Sequence, residues 1–553
     1  MAESQKTVKK TFLSGVLLLS LSTVLVKVNG LIYKIPMLSY LGSEGMGYFN
    51  SAYEIYALFC VIATAGLPVA LSVLISASIA RGERRGAQKI YRASMAVFLL
   101  IGLIGTAVMV FFSPAFCRLI RSENAHACIL SIAPTVFFIC VSSALRGYFQ
   151  GYQRMLPTAV SQLIEAVGKL VFGLLLARWA LDRGYETPQV AAAAGVGLTL
   201  GTLVSMLYLV VEKLRFRPDG REGEAPETVL PSGTYRRIWA DLGRLAIPMT
   251  LGASAVSLTK LIDMTMILRR LQAIGLSEAM ANEAYGSYTT LALSVFGLLP
   301  ALVNSVALPL VPILSAAIAS GDRERQAQMI RSSYQLTALF AIPAALGVSA
   351  FARPILKLLF GGEPEAVAIA APLLSILGVS VFLSCMITAT NSVLHAYQSV
   401  TRPILSMLAG AAVKIAAAYF LIGIPSVGMI GAPVSTFLCN AVVVGMNLWF
   451  AGRLCKTPDL LPVFLRPLGA ALGAVGLAYG GYLAIAARIG ESTVLTLGSL
   501  LLCVGLYLLF ACLFGVVSAE DILALPMGNK IYHVLVRLRL IRALEPAEKG
   551  RTI

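Results

Sequence analysis

The sequence has few charged residues for its length. Only 13% of its 553 residues are Asp, Glu, Lys or Arg, whereas 58% are hydrophobic. Soluble globular chains contain about 25% charged residues, so this composition excludes an ordinary soluble enzyme or binding domain. The apolar residues also occur in blocks of about 20 to 25, and a helix of that length crosses a hydrocarbon core of about 30 Å. The chain is therefore predicted to be an all-α polytopic membrane protein.

Histidine is scarce, and the cysteines show no pairing pattern. The three histidines, His126, His395 and His533, are scattered, and the nine cysteines lie mostly inside apolar blocks without a CxxC motif. Metal sites and disulfide frameworks need such residues at regular, close spacings. The GxxxxGK[ST], GxSxG and HExxH motifs of ATP hydrolysis, acyl transfer and zinc chemistry are also missing. We therefore expect no catalytic residue, no metal and no resident cofactor, and we expect a protein that is not an enzyme.

Fourteen apolar blocks are long enough to be transmembrane spans. The first follows a basic N-terminus, but no small-residue cleavage site comes after it, so a retained helix is expected in place of a signal peptide. The predicted spans cover residues 11–33, 48–79, 91–113, 127–147, 157–181, 189–211, 245–267, 286–318, 332–352, 366–391, 403–424, 430–451, 467–487 and 493–517.

The net charge of +17 is unevenly distributed between the loops. If the N-terminus lies inside, the inner segments contain 30 Lys and Arg residues and the outer segments contain nine. By the positive-inside rule, both termini are predicted to be cytoplasmic. The excess of basic residues thus indicates membrane topology and contact with inner-leaflet lipids, and it does not indicate a nucleic-acid partner.

Five lysines lie inside the predicted spans or, in the case of Lys34, directly at the end of one. A charge at the centre of a transmembrane helix costs at least about 2.5 kcal/mol on insertion scales, so these side chains are expected to face the protein interior. Three carboxylates, Glu54, Glu165 and Asp263, lie at a similar depth. Even if each neutralises one lysine, two positive charges remain, which suits an anionic ligand such as a pyrophosphate. The five candidate binding residues are Lys27, Lys34, Lys169, Lys260 and Lys414.

Local roles for these charges remain open beside ligand binding. Glu165 and Lys169 are four residues apart, and Lys260 and Asp263 are three apart, so each pair can meet on one helix face. Lys34 lies near the outer end of its span, and its ammonium could extend to the lipid headgroups. The sequence alone does not separate internal pairing from ligand binding.

Three pairs of segments indicate an internal repeat. Residues 76–84 (SASIARGER) match residues 315–323 (SAAIASGDR) at six of nine positions, and GYQRMLP later in the first half has a counterpart in AYQSVTRP. Lys27 and Lys260 each precede a glycine by fifteen residues. Spans 1–6 are therefore predicted to repeat as spans 7–12. Because six is even, the two repeats are parallel and related by a pseudo-twofold axis along the membrane normal.

The repeat sets the domain boundaries that we predict. It relates Lys27 to Lys260 and Lys169 to Lys414, so four of the five lysines form two symmetry pairs. The predicted segments are an N-lobe (1–211), a cytoplasmic linker (212–244), a C-lobe (245–453), two further helices (454–517) and a cytoplasmic tail (518–553).

The fourteen spans, the parallel repeat and the segment RGYFQGYQRMLPTAVSQLIEAVGK (146–169) together resemble the multidrug/oligosaccharidyl-lipid/polysaccharide (MOP) exporter superfamily. Within it, the chain is similar to the group of lipid II flippases and stage V sporulation protein B. The resemblance implies two six-helix lobes around a central cavity, and a groove from the last two helices for a polyprenyl tail. It also implies that Lys27 lies where the first helix carries a cavity-facing basic residue.

The resemblance implies a flippase of the bacterial plasma membrane. Its cargo would be an undecaprenyl-pyrophosphate-linked saccharide for peptidoglycan or polysaccharide synthesis, in growth or in sporulation. The partners would be this lipid-linked glycan and membrane lipids, a monomer would suffice, and an ion or the membrane potential would supply energy.

Two alternative functions remain open at this stage. A multidrug antiporter of the same superfamily would need carboxylates without a surplus of cations. An integral membrane glycosyltransferase or ligase would need a large outer loop with catalytic residues, and the predicted outer loops are all short.

The charge asymmetry generates a test of topology. Single cysteines placed in residues 212–244 and in the tail should react only with reagents that enter the cytoplasm, because positively charged loops are retained inside. Cysteines at residues 182–187 should react from outside. Labelling of 212–244 by an impermeant reagent in intact cells would contradict the fourteen-span topology.

Overall fold

The chain is all-helical, with no β-strand, over the residues that the computed structural model describes. The side chains of residues 2–28, which include Lys27, lie outside the described part, as do those of 31, 84, 255–256 and 301–307. The centre of the predicted linker and the predicted tail also lie outside it. The described residues are 2–216, 235–307, 314–315, 317–318, 322–399, 401–454 and 461–516.

The chain divides into two compact units, Met1–Thr290 (unit 1) and Leu291–Ile553 (unit 2). The first helix of unit 1 is two helices that join at Gly42, where φ is 65° and ψ is 176°. The described helices of unit 1 are α1 (Ala2–Thr64), α2 (Leu67–Ala80), α3 (Arg84–Phe111), α4 (Ser113–Ile120), α5 (His126–Ile132), α6 (Pro134–Gly151), α7 (Leu156–Asp182), α8 (Thr187–Arg215), α9 (Tyr235–Ala273) and α10 (Glu278–Ser287).

A π-helical turn, Tyr288–Ala292, follows α10 along the chain. In unit 2, four clusters of buried apolar side chains form the core among the described residues. The helices of unit 2 pack around these clusters. They are α11 (Leu293–Ala307), α12 (Arg323–Ala350), α13 (Ala352–Phe360), α14 (Pro364–Ala396), α15 (Thr401–Ile422), α16 (Gly431–Leu454), α17 (Leu461–Ile489) and α18 (Thr493–Leu513).

Within the described residues, twelve helical segments are long and apolar enough to cross a membrane. Each overlaps one of the predicted spans. The predicted first span (11–33) lies mostly among residues whose side chains are outside the described part, and the predicted eighth span (286–318) is interrupted by such residues. The all-α, multi-span architecture is therefore confirmed, whereas the total of fourteen spans and the six-plus-six repeat stay predictions.

Several helices have a side-chain cap at their N-terminus, in the connections between spans. Ser277 Oγ accepts from the Met280 amide at 3.2 Å at the start of α10, and Ser492 Oγ accepts from the Leu495 amide at 3.2 Å at the start of α18. Glu186 begins α8 with a capping box. Such caps satisfy amides that have no partner within the helix, and so they fix where each span starts.

Two turns that the sequence pairs by the repeat have the same backbone geometry. Gln153 and Gln398 are both left-handed, with φ of 58° and 57°. In each turn the next residue donates its amide to the carbonyl five residues back: Arg154 to Phe149, and Ser399 to Leu394. Glutamine rarely adopts this conformation, so its recurrence at matched positions supports the repeat as a hypothesis.

Helices α7 and α8 cross closely because glycines face each other. A Cβ on Gly168 would lie 2.8 Å from the Cα of Gly201, and one on Gly201 would meet the backbone amide of Lys169. Gly197 meets the backbone of Gly173 in the same way. Small residues let transmembrane helices approach closely, so this crossing fixes the turn of α7 that carries Lys169.

A polar network ties α10 to the connection between α4 and α5. Glu278 Oε1 accepts from the Asn124 amide at 3.0 Å. Further along α10, Gly286 packs against the carbonyl of Ser43 on α1, where no Cβ would fit. These contacts hold α10 against α1, and they place the residues that follow α10 beside the charges of α1.

The glycine crossing can be tested by adding one methyl group. Gly201→Ala should lower the stability of the purified protein by about 1–3 kcal/mol, because the methyl group overpacks a backbone contact. Gly445→Ala on α16 is the matched control, since nothing lies within 4 Å of its Cβ position. The apparent melting temperature in detergent checks this, and equal melting temperatures for the two variants would contradict the close crossing.

Candidate functional site

An ion cluster of three residues lies where α6 and α7 pack in unit 1. Glu165 Oε1 accepts from Lys169 Nζ at 2.6 Å, and Glu165 Oε2 accepts from Arg146 Nη2 at 2.8 Å. Glu165 and Lys169 are one turn apart on α7, whereas Arg146 lies on α6. The side chains of Arg146 and Glu165 are 11% and 12% exposed, and that of Lys169 is 23% exposed. One carboxylate therefore compensates two cations, and the cluster keeps one positive charge.

Arg146 is a site residue that the sequence analysis missed. It lies at the inner end of the predicted span 127–147. Its Nε donates to Ser161 Oγ at 2.9 Å, and its Nη2 lies 3.4 Å from Ser205 Oγ. Its position inside an apolar block was the available signal, because a charge there needs a partner in the protein interior.

A second group of charges lies on α1 and α9, close to α10. Lys34 is close enough to Glu54 and Lys260 to interact electrostatically with both. Tyr285 of α10 interacts in the same way with Glu54 and Asp263. Lys260 is exposed, and Lys34, Glu54 and Asp263 are half-buried. The structure thus brings together four predicted site residues: Lys34 and Glu54 of the predicted N-lobe, and Lys260 and Asp263 of the first span of the predicted C-lobe.

Tyr53 of α1 links these two groups of charges. Its hydroxyl is close enough to interact electrostatically with Lys169 and Glu165 on one side and with Glu54 on the other. The side chain is partly exposed, at 38%. A phenol can donate to or accept from an oxygen-rich ligand, so Tyr53 adds a polar group beside the cations.

Hydrogen bonds hold α1 against its neighbours in unit 1. Asn29 Nδ2 donates to the carbonyl of Ala166 at 2.8 Å, one residue after Glu165 on α7. Lys34 Nζ donates to the carbonyl of Thr289 at 3.2 Å, and Asn50 Nδ2 donates to Thr289 Oγ1 at 2.8 Å. The ammonium of Lys34 is therefore held inside the unit, whereas the sequence also allowed it to extend to the headgroups.

Two predicted binding residues, Lys27 and Lys414, are not among the charges of these two groups. The side chain of Lys27 lies outside the described residues, although α1 includes that position. Lys414 is half-buried on α15 of unit 2. The Glu165–Lys169 pair, offered by the sequence as a local role, is present. A Lys260–Asp263 pair and ligand binding by any of these residues stay predictions.

Unit 1 contains one more cation than carboxylate among the described charges of the two groups. In a site with little water, such an imbalance favours an added anion, because charge interactions are strong at low dielectric. Lysine ammonium groups bind phosphates as point charges, whereas an organic cation would raise the imbalance. The cations are Lys34, Arg146, Lys169 and Lys260, and the carboxylates are Glu54, Glu165 and Asp263.

Many spans with charges gathered in the protein interior are typical of membrane transporters, and the family matches place this chain in the MOP superfamily. Residues 12–318 match the family described as polysaccharide biosynthesis protein, and residues 283–420 match the MatE family. The first match covers more than half of the chain. The chain therefore belongs to the polysaccharide biosynthesis protein family.

Named relatives and a solved structure agree with this assignment. The chain is 24% identical over 533 residues to stage V sporulation protein B of Bacillus subtilis (strain 168), covering 95% of this chain and 99% of that protein. It is 24% identical over 421 residues to the lipid II flippase MurJ of the same organism, covering 73% and 76%. A structure of lipid II flippase MurJ in the inward closed conformation has a TM-score of 0.69 at 16% identity, covering 90% and 98%. The chain shares the fold of that protein.

The ion cluster can be tested through its carboxylate. Glu165→Gln should lower stability by about 3 kcal/mol, because it leaves two buried cations without a counter-charge. Asp182→Asn on the same helix is the matched control: its partner Arg178 is 56% exposed, so its loss should cost about 0–1 kcal/mol. The apparent melting temperature in detergent measures both, and a Glu165→Gln shift no larger than the control would contradict the buried cluster.

Proposed function

We propose that this protein is a flippase, not an enzyme, and that it moves an undecaprenyl-pyrophosphate-linked saccharide from the inner to the outer leaflet of a bacterial plasma membrane. The observation that carries the proposal is the surplus of cations inside unit 1. Relatives named as a lipid II flippase and a sporulation protein support this cargo class. The glycan would be a peptidoglycan precursor or a polysaccharide unit.

The lysines have distinct roles in this proposal. Lys27 and Lys260, from the first helix of each predicted lobe, bind the pyrophosphate from opposite sides. Lys169 forms a second tier, in which Glu165 holds it until cargo arrives, and Lys414 is its counterpart in the predicted repeat. The contact of Lys34 with Thr289 supports a further position for it at the edge of the same site.

Alternating access follows from two lobes that bind one anion. A ligand shifts a conformational equilibrium only if it contacts the two states differently. A pyrophosphate that both lobes contact would draw them together, with residues 1–211 and 245–453 as the lobes and 212–244 as the linker. Residues 454–517 would provide the groove for the polyprenyl tail, and both termini would be cytoplasmic.

The membrane potential can drive this transport. Moving one negative charge outward across an inside-negative membrane releases about 2.3 kcal/mol per 100 mV. A pyrophosphate lipid carries more than one such charge, so no ATP hydrolysis is needed. Consumption of the cargo on the outer side of the membrane, or coupling to an ion, would supply any further driving force for outward transport.

A multidrug antiporter is the second candidate, because residues 283–420 match the MatE family. Such a protein would bind organic cations, and the surplus of cations in unit 1 disfavours them. Transport of a fluorescent cationic dye by the purified protein in proteoliposomes, without transport of the pyrophosphate lipid, would favour this candidate.

Flipping of a fluorescent undecaprenyl-pyrophosphate-linked disaccharide in proteoliposomes tests the proposal. Lys27→Ala and Lys260→Ala should each slow flipping by about tenfold or more, since each removes a charge-assisted contact to phosphate. Lys27→Arg should keep partial activity, because the charge remains. Arg178→Gln, which alters an exposed ion pair, is the control and should flip normally.

Normal flipping by both alanine variants at equal protein levels would contradict this assignment of the pyrophosphate site. Flipping that is undiminished without a membrane potential would remove only the proposed driving force.

A further inference from the structure

The two cations that share Glu165 are held in different ways. Arg146 bonds to Glu165 and to Ser161 on α7, and it lies beside Ser205 on α8. Ser205 Oγ donates in turn to the carbonyl of Ser161 at 2.7 Å. A planar guanidinium makes such contacts in a fixed fork, whereas a lysine ammonium is a mobile point charge on a flexible stem. Of the two cations, Lys169 is thus the one that is able to leave Glu165.

Exposure supports the same distinction. The Lys169 side chain is twice as exposed as that of Arg146 and interacts electrostatically with Tyr53, a partly exposed residue of α1. Arg146 is enclosed between α6, α7 and α8. A ligand that enters beside Tyr53 therefore meets Lys169 and not Arg146.

Charge balance decides what happens when Lys169 leaves. A buried carboxylate without a partner is strongly unfavourable, so a simple Glu165–Lys169 pair would resist opening. With Arg146 present, Glu165 stays paired and the remaining pair is neutral. The full charge of Lys169 then becomes available to an anion at little electrostatic cost to the protein.

We propose that Arg146 is a positioning residue that retains Glu165 in place while Lys169 moves from Glu165 to the pyrophosphate group of the cargo. This inference rests on the proposed function, because it names how one lysine of that site is released. It assigns Arg146 no contact with the cargo itself.

The test uses full-length purified protein in nanodiscs with undecaprenyl pyrophosphate as the probe. One readout is probe affinity, and the other is acylation of Lys169 by an amine reagent, measured by mass spectrometry. In Arg146→Gln, Lys169 becomes the remaining partner of Glu165 within the cluster and is held more tightly. Probe affinity and Lys169 acylation should each fall about tenfold, within the range of couplings between contacting residues.

A second substitution separates positioning from general stability. In Arg146→Gln/Glu165→Gln the carboxylate is gone and the cluster again carries one positive charge, as in the unsubstituted protein. Probe affinity and Lys169 acylation should return to within about threefold of the original values. Arg146→Lys keeps the charge but loses the fork, so a loss of about threefold is expected. Arg178→Gln on the same α7 helix is the control and should change neither readout.

Unchanged affinity and acylation in Arg146→Gln would overturn this inference. If Arg146→Gln does not fold, the double variant and Arg146→Lys decide, and a double variant that folds but fails to recover both readouts would overturn it as well. The proposed function fails in a distinguishable way: the unsubstituted protein would not bind the probe, or Lys169→Gln would bind it normally.

Discussion

One carboxylate, that of Glu165, compensates two cations in the interior of unit 1, and the charge of the site depends on this imbalance. A buried charge needs a partner, and a partner shared between two cations leaves one of them incompletely compensated. Arg146 is the more enclosed of the two cations, and Lys169 is the more exposed one. We propose that Lys169 is therefore available to an anion although it lies in the protein interior.

Helix packing makes this arrangement possible. The glycines of α7 and α8 let the two backbones approach, so that Gly201 lies against the amide of Lys169 and Ser205 reaches Arg146. On the other side, Asn29 ties α1 to the carbonyl of Ala166. Larger residues at these crossings would separate the helices whose side chains complete the ion cluster. The polar contacts of the ion cluster therefore depend on the close packing of these helices.

Local features of the site could be predicted from the sequence, and contacts between distant segments could not. The spans follow from the length of the apolar blocks, and the Glu165–Lys169 pair follows from helical spacing, which is a property of one helix. Arg146 meets partners 15, 19 and 59 residues away, and Lys34 meets Thr289 across 255 residues. Such contacts depend on which faces of the helices meet, and periodicity does not encode that. Gln153 and Gln398, which the sequence pairs by the repeat, have the same left-handed backbone conformation, and the repeat itself stays a prediction.

We propose that the charges of unit 1 surround a pyrophosphate group. Photo-crosslinking with an undecaprenyl pyrophosphate that carries the reactive group beside the phosphates tests this most directly, with adducts mapped by mass spectrometry. We expect adducts within residues 24–56 of α1, within 156–182 of α7, and within 257–287, which include parts of α9 and α10. Excess unlabelled undecaprenyl pyrophosphate should remove these adducts. Adducts confined to other segments, or adducts that the unlabelled lipid does not compete away, would contradict the proposal.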